Sequence, residues 1–140
     1  MGPVPGVDQV KVSLTDEELA LLREMFDLAR AGASERLAAA VELGVPVNLT
    51  NEVGDSLLIL AAYHDHPETV RVLLDRGADS ARVNDRGQTA LGAAVFRRSE
   101  RSVGYLLAAG ADPALGERSA LDIARFFGLS EMLALLQEPG

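Results

Sequence analysis

Residues 84–91 read Asn-Asp-Arg-Gly-Gln-Thr-Ala-Leu, and residues 51–58 read Asn-Glu-Val-Gly-Asp-Ser-Leu-Leu. The two stretches are related by a fixed offset, and the same offset relates Gly77-Ala78-Asp79 to Gly110-Ala111-Asp112. A period of about 33 residues is typical of stacked repeat proteins, in which each unit buries its apolar face against its neighbours. The sequence therefore predicts a continuous array of similar units.

Weaker copies of the pattern stand on both sides of the two clear ones. Counting back by one period from Gly77 reaches Gly44, within the segment Leu43-Gly44-Val45-Pro46. After Asp112 the pattern returns three residues early, as Ser119-Ala120-Leu121. We therefore expect four helix pairs, the last with a shortened connection.

The run from Gly87-Gln88-Thr89-Ala90-Leu91 to Gly110-Ala111-Asp112 resembles the ankyrin repeat. The resemblance covers about residues 16–137 and implies an all-α solenoid of helix-turn-helix units joined by β-hairpin-like loops. Ile59 and Gly92 stand where that family usually has a histidine that links neighbouring repeats. We therefore expect weaker polar links between repeats, offset by apolar contact from residues such as Ile59.

The pattern divides the chain into an arm and one repeat domain. Residues 1–14 contain prolines and glycines without apolar periodicity, so we expect a flexible arm. The domain would cover residues 15–138, with a cap at about 15–46, repeats at about 51–83 and 84–116, and a C-terminal cap at about 117–138.

Helix signals agree with this division. Thr15 and Glu18 form a capping-box pattern at the start of the first helix. Later helices should start near Ser34, Pro67, Ser99 and Ser130, and glycines should end them at Gly44, Gly77 and Gly110. Phe126 and Phe127 follow in the last repeat, and we expect at least one of them in the core.

Composition excludes several classes of function. The chain has no cysteine, which rules out disulfides and thiolate chemistry. Its net charge of −8 gives no excess of cations for nucleic-acid phosphates, so we expect no nucleic-acid partner. No apolar run reaches the ~20 residues of a membrane helix, and the first residues lack a signal-peptide pattern, so we expect no membrane partner and a cytoplasmic location. A single lysine beside many arginines is typical of a GC-rich bacterial genome.

His64-Asp65-His66 contains metal-ligand types, but no third or fourth ligand is indicated. We interpret it as the turn between two helices, with His66 capping the helix that begins at Pro67. The chain also lacks the Gly-x-Ser-x-Gly elbow of hydrolases and a Gly-x-Gly-x-x-Gly phosphate loop. We therefore expect neither catalysis nor a cofactor.

The ankyrin resemblance implies that hairpin tips and first helices form a concave surface that binds a partner protein. Carried over position by position, the contact residues would be Glu52, Val53, Asp55, Tyr63 and His64 from one repeat, and Asp85, Arg86, Gln88, Phe96 and Arg97 from the next. Tyr63 and Phe96 are either anchors for the partner or packing between repeats. Arg97, Arg98 and Arg101, with Arg86 in the preceding hairpin, form a local basic cluster that is either solvated surface or a contact for an acidic partner.

Two functions are compatible with this pattern. The first is an adaptor or regulator that acts as a monomer and binds a partner protein of unknown identity. The second is self-association through apolar residues of the C-terminal cap: Phe126, Phe127, Leu129, Met132, Leu133 and Leu136.

Overall fold

The computed structural model describes residues 14–138. Eight helices occupy this range: α1 (Asp16–Ala31), α2 (Ser34–Glu42), α3 (Leu57–Tyr63), α4 (Pro67–Asp75), α5 (Ala90–Phe96), α6 (Glu100–Ala108), α7 (Ala120–Phe126) and α8 (Ser130–Gln137). An isolated bridge between Thr50 and Ser56 is the only β pairing among the described residues. The all-α architecture is therefore confirmed, whereas most of the predicted arm lies outside the described residues.

The helices form two layers. Odd-numbered helices pack against one another in the order α1, α3, α5 and α7, and even-numbered helices pack in the order α2, α4, α6 and α8. Each odd helix also contacts the even helix that follows it. The result is a stack of four helix pairs, as the period of the sequence predicts.

Hydroxyl caps start the helices of the inner, odd-numbered layer. Thr15 Oγ1 accepts a hydrogen bond from Glu18 N at 3.0 Å, and Glu18 Oε1 accepts one from Thr15 N at 2.9 Å, which confirms the capping box. Ser56, Thr89 and Ser119 accept equivalent bonds at the starts of α3, α5 and α7. The hydroxyl of the repeated motif therefore fixes where each inner helix begins.

Leucine and alanine fill the space between the layers. Leu57, Leu91 and Leu106 are fully buried, and alanines such as Ala61 and Ala94 lie between them, where their small size lets helices approach closely. Ile59 is also buried, as expected from its place in the motif. A Cβ on Gly92 would lie 3.3 Å from Ile123 Cδ1, so the glycine that replaces histidine leaves just enough room for α7 to pack on α5.

The last helix pair differs from expectation. Phe126 and Phe127 are 82% and 49% exposed, so the prediction that one of them lies in the core is wrong. They align with Tyr63 and His64, which are also exposed, because this position of the repeat faces away from the helix interface. Met132 is buried instead and forms the core of this pair together with Ile123, Ala124 and Leu136.

Two equivalent positions of the outer layer differ in their hydrogen bonding. The hydroxyls of Thr69 in α4 and Ser34 in α2 lie 2.7 Å apart and share a hydrogen bond. Ser102 occupies the position of Thr69 in the next repeat and is fully buried, but Pro67 stands where Ser34 would be. The Ser102 hydroxyl therefore has no partner among the described residues.

We expect alanine to have opposite effects at these two positions. Thr69→Ala should lower the free energy of unfolding by about 1 kcal/mol through loss of the shared hydrogen bond. Ser102→Ala should raise it by up to about 1 kcal/mol, since it removes an unpaired buried hydroxyl and adds a better helix former. Urea denaturation measures both, and destabilisation by Ser102→Ala would show that the hydroxyl does have a partner.

Candidate functional site

Asparagine side chains shape the two central hairpin tips. Asn51 Oδ1 accepts hydrogen bonds from Val53 N at 3.1 Å and Asp55 N at 3.0 Å. Asn84 repeats this arrangement in the next tip, with its Oδ1 2.9 Å and 3.0 Å from the amides two and four residues later. Each tip is therefore held by its own asparagine, which explains why both copies of the motif begin with this residue.

Backbone hydrogen bonds link successive tips. Asp85 N donates to Val53 O at 3.0 Å, and Arg118 N donates to Gly87 O at 3.0 Å. The three tips consequently form one wall along the inner helices.

Asp55 is largely buried where the first of these tips meets the next one. Its side chain is 8% exposed, and Asp55 Oδ1 accepts a hydrogen bond from Asn84 Nδ2 at 2.8 Å. Sequence reasoning placed Asp55 among the residues that contact a partner. In the structure this carboxylate connects one repeat to the next, so little of it is exposed to a partner.

A row of aromatic rings forms the opposite wall. The rings of Tyr63 and Phe96 are stacked, with centroids 6.1 Å apart and an interplanar angle of 5°. Phe127 meets Phe96 at 5.9 Å and Phe126 at 4.9 Å, both edge to face. Tyr63 and Phe96 nevertheless remain 41% and 45% exposed. These rings therefore pack between repeats and also present a face to solvent.

The two walls enclose a groove with a cavity volume of about 540 Å³. Its lining includes eight of the ten residues that the sequence singled out: Glu52, Val53, Asp55, Tyr63, His64, Arg86, Gln88 and Phe96. Asp85 and Arg97 are exposed but do not line this cavity. A second cavity of about 470 Å³ continues the groove past Gln88, Phe96 and Arg118 towards the exposed rings of the last repeat.

Sequence reasoning missed two arginines in the lining, Arg30 and Arg118. The period itself contained the signal. Arg30 stands one period before Tyr63, and Arg118 follows Gln88 by one period less the shortening of the last connection. Aligning the two caps with the central repeats therefore identifies both arginines as groove positions.

Positive charge gathers around His64 at one end of the groove. Burial lowers the pKa of the His64 imidazole, and the nearby Arg30, His66 and Arg97 lower it further, whereas Asp55 acts in the opposite direction. This histidine is therefore neutral down to a lower pH than a free imidazole.

His66 does not cap the helix that begins at Pro67, which corrects the sequence interpretation. Its imidazole points back to the preceding helix pair, where Nε2 donates a hydrogen bond to Arg30 O at 2.8 Å. The ring therefore ties the turn before α4 to the end of α1. Within residues 14–138, no three metal-ligating side chains cluster, and no helix is long and apolar enough to cross a membrane.

A family model for ankyrin repeats matches residues 25–117 in three copies. This chain belongs to the ankyrin-repeat family. Ankyrin repeats are generally protein–protein interaction modules and are typically non-catalytic. The family accounts for the concave groove, but it does not specify what occupies it.

Several known proteins are similar to this chain over part of their length. A Pseudomonas aeruginosa protein described as an ankyrin repeat protein is 46% identical over 65 residues, which are 46% of this chain and 38% of that protein. An E3 ubiquitin-protein ligase of Drosophila melanogaster is 35% identical over 125 residues, 84% of this chain and 4% of the ligase. An NAD-capped RNA hydrolase of Homo sapiens is 48% identical over 50 residues, 36% of this chain and 11% of the hydrolase. The chain thus spans less than two thirds of each of these relatives.

Proposed function

We propose that this ankyrin-repeat chain is a non-catalytic adaptor or regulator that binds a partner protein in the groove between the hairpin tips and the aromatic row. The observation that carries the proposal is the pair of stacked rings, Tyr63 and Phe96, which are fixed between repeats yet remain 41% and 45% exposed. Aromatic residues held in place are common anchors of protein interfaces. The proposal includes a cytoplasmic location and a monomeric chain.

Preorganisation of both walls supports this function. The tips are held by Asn51 and Asn84, and the rings are held by one another. Side chains that are already ordered lose little conformational entropy on association, so more of the contact energy is retained as affinity. The groove would therefore act by rigid presentation of a few anchors.

Catalysis has less support from the same residues. His64 is the histidine that lines the groove, and its ring makes no hydrogen bond with any residue of the range 14–138. A catalytic histidine is normally oriented by a second group that hydrogen-bonds to its ring. The groove thus favours binding over proton transfer.

We expect the double variant Tyr63→Ser/Phe96→Ser to lose partner capture by at least about ten-fold, since loss of anchor residues commonly costs about 2 kcal/mol or more. Wild type, this variant and the control Leu43→Ser serve as baits in lysate of the source organism, with captured proteins quantified by mass spectrometry. Leu43 is 89% exposed and lies outside both parts of the groove. The control variant therefore also removes exposed apolar surface, but away from the proposed site. Circular dichroism checks that each bait is folded, and equal capture by all three contradicts the proposed site.

Self-association is a second candidate because Phe126 is 82% exposed at the end of the stack. Met132 and Leu136 belong to the core, so they are not free to join such a contact. A self-association surface would therefore centre on Phe126 and Phe127. Light scattering at micromolar concentrations tests it, and a monomer throughout contradicts it.

A further inference from the structure

We propose that the groove accepts an extended acidic segment of the partner protein, with one large apolar side chain seated against the aromatic row. This inference rests on the proposed function and adds the chemistry of the partner. It is argued from two unpaired arginines that line the groove, Arg86 and Arg118, and from the more apolar lining near the last repeat.

The arginines of the stack fall into two groups. Outside the groove, Arg23, Arg98, Arg101 and Arg125 pair with no carboxylate within residues 14–138, whereas Arg36 pairs with Glu24 at 2.6 Å and Arg76 pairs with Glu42 at 2.6 Å. Arg71, on α4, likewise pairs with Asp75 at 2.9 Å.

Arg86 and Arg118, which line the groove, lack such a partner, whereas Arg30, which also lines it, pairs with Asp27 at 2.9 Å. Within residues 14–138, no carboxylate lies within 4.0 Å of the guanidinium groups of Arg86, Arg97 or Arg118. Arg86 and Arg118 stand on adjacent tips, because Arg118 N bonds to the carbonyl of the residue that follows Arg86. Both side chains are exposed and line the groove.

Carboxylates do not balance these cations in the larger part of the groove. Glu52 and Asp55 are the acids of its lining, and the Asp55 carboxylate is already buried against Asn84. Arg30 is paired with Asp27, so the charged groups of this lining that remain exposed and unpaired are Arg86 and Arg118 against Glu52, in a chain whose net charge is −8. An acidic ligand would be repelled by the molecule as a whole and attracted at this place. Carboxylates can also bind guanidinium groups through two parallel hydrogen bonds, which fixes their position.

The lining of the groove is more apolar towards the last repeat. There its lining contains Phe96, Ile123, Phe126 and Phe127, together with the acids Glu117 and Asp122. Apolar surface favours a large apolar side chain, and the two acids disfavour a further carboxylate at this end. An occupant that suits both parts therefore carries its acids near Arg86 and its apolar residue near Phe127.

Fluorescence anisotropy with synthetic peptides tests this inference. The probe is a fluorescein-labelled peptide of sequence Asp-Glu-Asp-Glu-Gly-Leu-Phe-Gly, and the comparison peptide carries lysine in place of each acid. We expect the acidic peptide to bind at least about ten-fold more tightly, and its affinity to fall as salt rises from about 50 to about 300 mM because exposed charges are screened. Replacing the peptide's Leu-Phe by Gly-Gly should weaken binding by a similar factor.

Charge-reversal variants locate the site. Arg86→Glu and Arg118→Glu should each weaken the acidic peptide by at least about five-fold. Arg101→Glu is the matched control, because Arg101 is exposed, lies on α6 outside the groove and pairs with no carboxylate within the described range, so the variant changes net charge equally. Its effect should stay within about two-fold, as expected of long-range charge alone.

Each other outcome overturns the inference. Tighter or equal binding of the lysine peptide, equal loss in Arg101→Glu, or no binding of the acidic peptide at about 1 mM all contradict an acidic occupant. If any of these occurs while the Tyr63→Ser/Phe96→Ser bait still loses its partner, the binding function stands and only the acidic segment is wrong. If that bait keeps its partner, the groove itself is not the binding surface.

Discussion

Asn84→Ala should lower the free energy of unfolding by about 3 kcal/mol, because it removes three hydrogen bonds and leaves a buried carboxylate without its donor. Asn84 Oδ1 holds the amides of Arg86 and Gln88, and Asn84 Nδ2 bonds to Asp55 Oδ1 at 2.8 Å. Removing the donor of a buried carboxylate costs more than the bond contributes, since the charged acceptor is then left unsatisfied. Chemical denaturation monitored by circular dichroism measures the change.

Asn51→Ala provides the matched control. Asn51 makes the same two bonds within its own tip, and none to another repeat is found within residues 14–138. We expect a smaller loss, about 1.5 kcal/mol, so the difference between the two variants reports the link between repeats. Equal losses would mean that the bond between Asn84 and Asp55 adds nothing to stability.

Gly32→Ala should destabilise the chain by about 3 kcal/mol for two separate reasons. Gly32 has a φ of 73°, a left-handed conformation in which a Cβ costs about 1 kcal/mol. An added Cβ would also lie 2.5 Å from His66 Nδ1 and 2.7 Å from its Cγ, so the imidazole that bonds to Arg30 O would have to move. Thermal and urea unfolding both measure the loss.

A double-mutant cycle separates the two reasons. In the background His66→Ala the ring is absent, so Gly32→Ala should cost only the backbone strain of about 1 kcal/mol. The remaining difference is the coupling between Gly32 and the imidazole. If Gly32→Ala costs the same in both backgrounds, the close approach of His66 is not what requires glycine here.

The helix stack could be predicted from the sequence because its determinants are local and repeated. Thr15 caps its helix through a residue three positions later, and Gly77 allows the left-handed turn after α4 by itself. Because the pattern recurs with a regular period, each such local signal is present in several repeats. The apolarity of Phe126 and Phe127 predicted that one of them is buried. Their alignment with Tyr63 and His64 indicates instead the exposure that the structure has.

The groove could be predicted only in part, because its details depend on contacts between repeats. Aspartate in a hairpin tip normally faces solvent, and Asp55 is buried only because Asn84, in the following repeat, donates to it. The stacked pair Tyr63 and Phe96 likewise joins adjacent repeats, so neither residue alone indicates both packing and exposure. Arg118 aligns with Gln88 only when the shortened last repeat is allowed for, because the shortening moves every later equivalent position three residues earlier.

A backbone hydrogen bond from Arg118 N to Gly87 O joins the hairpin wall to the last repeat. Terminal units of a repeat array unfold locally more often than internal ones, because they have a neighbour on one side only. When the last repeat opens, Gly87 loses this bond and the groove loses both Arg118 and the rings beyond Phe96. The apparent affinity for a partner is then the intrinsic affinity multiplied by the fraction of molecules whose last repeat is closed. Changes in the C-terminal cap that touch no ligand would therefore adjust binding, and a bound partner would in turn slow hydrogen exchange in α7 and α8.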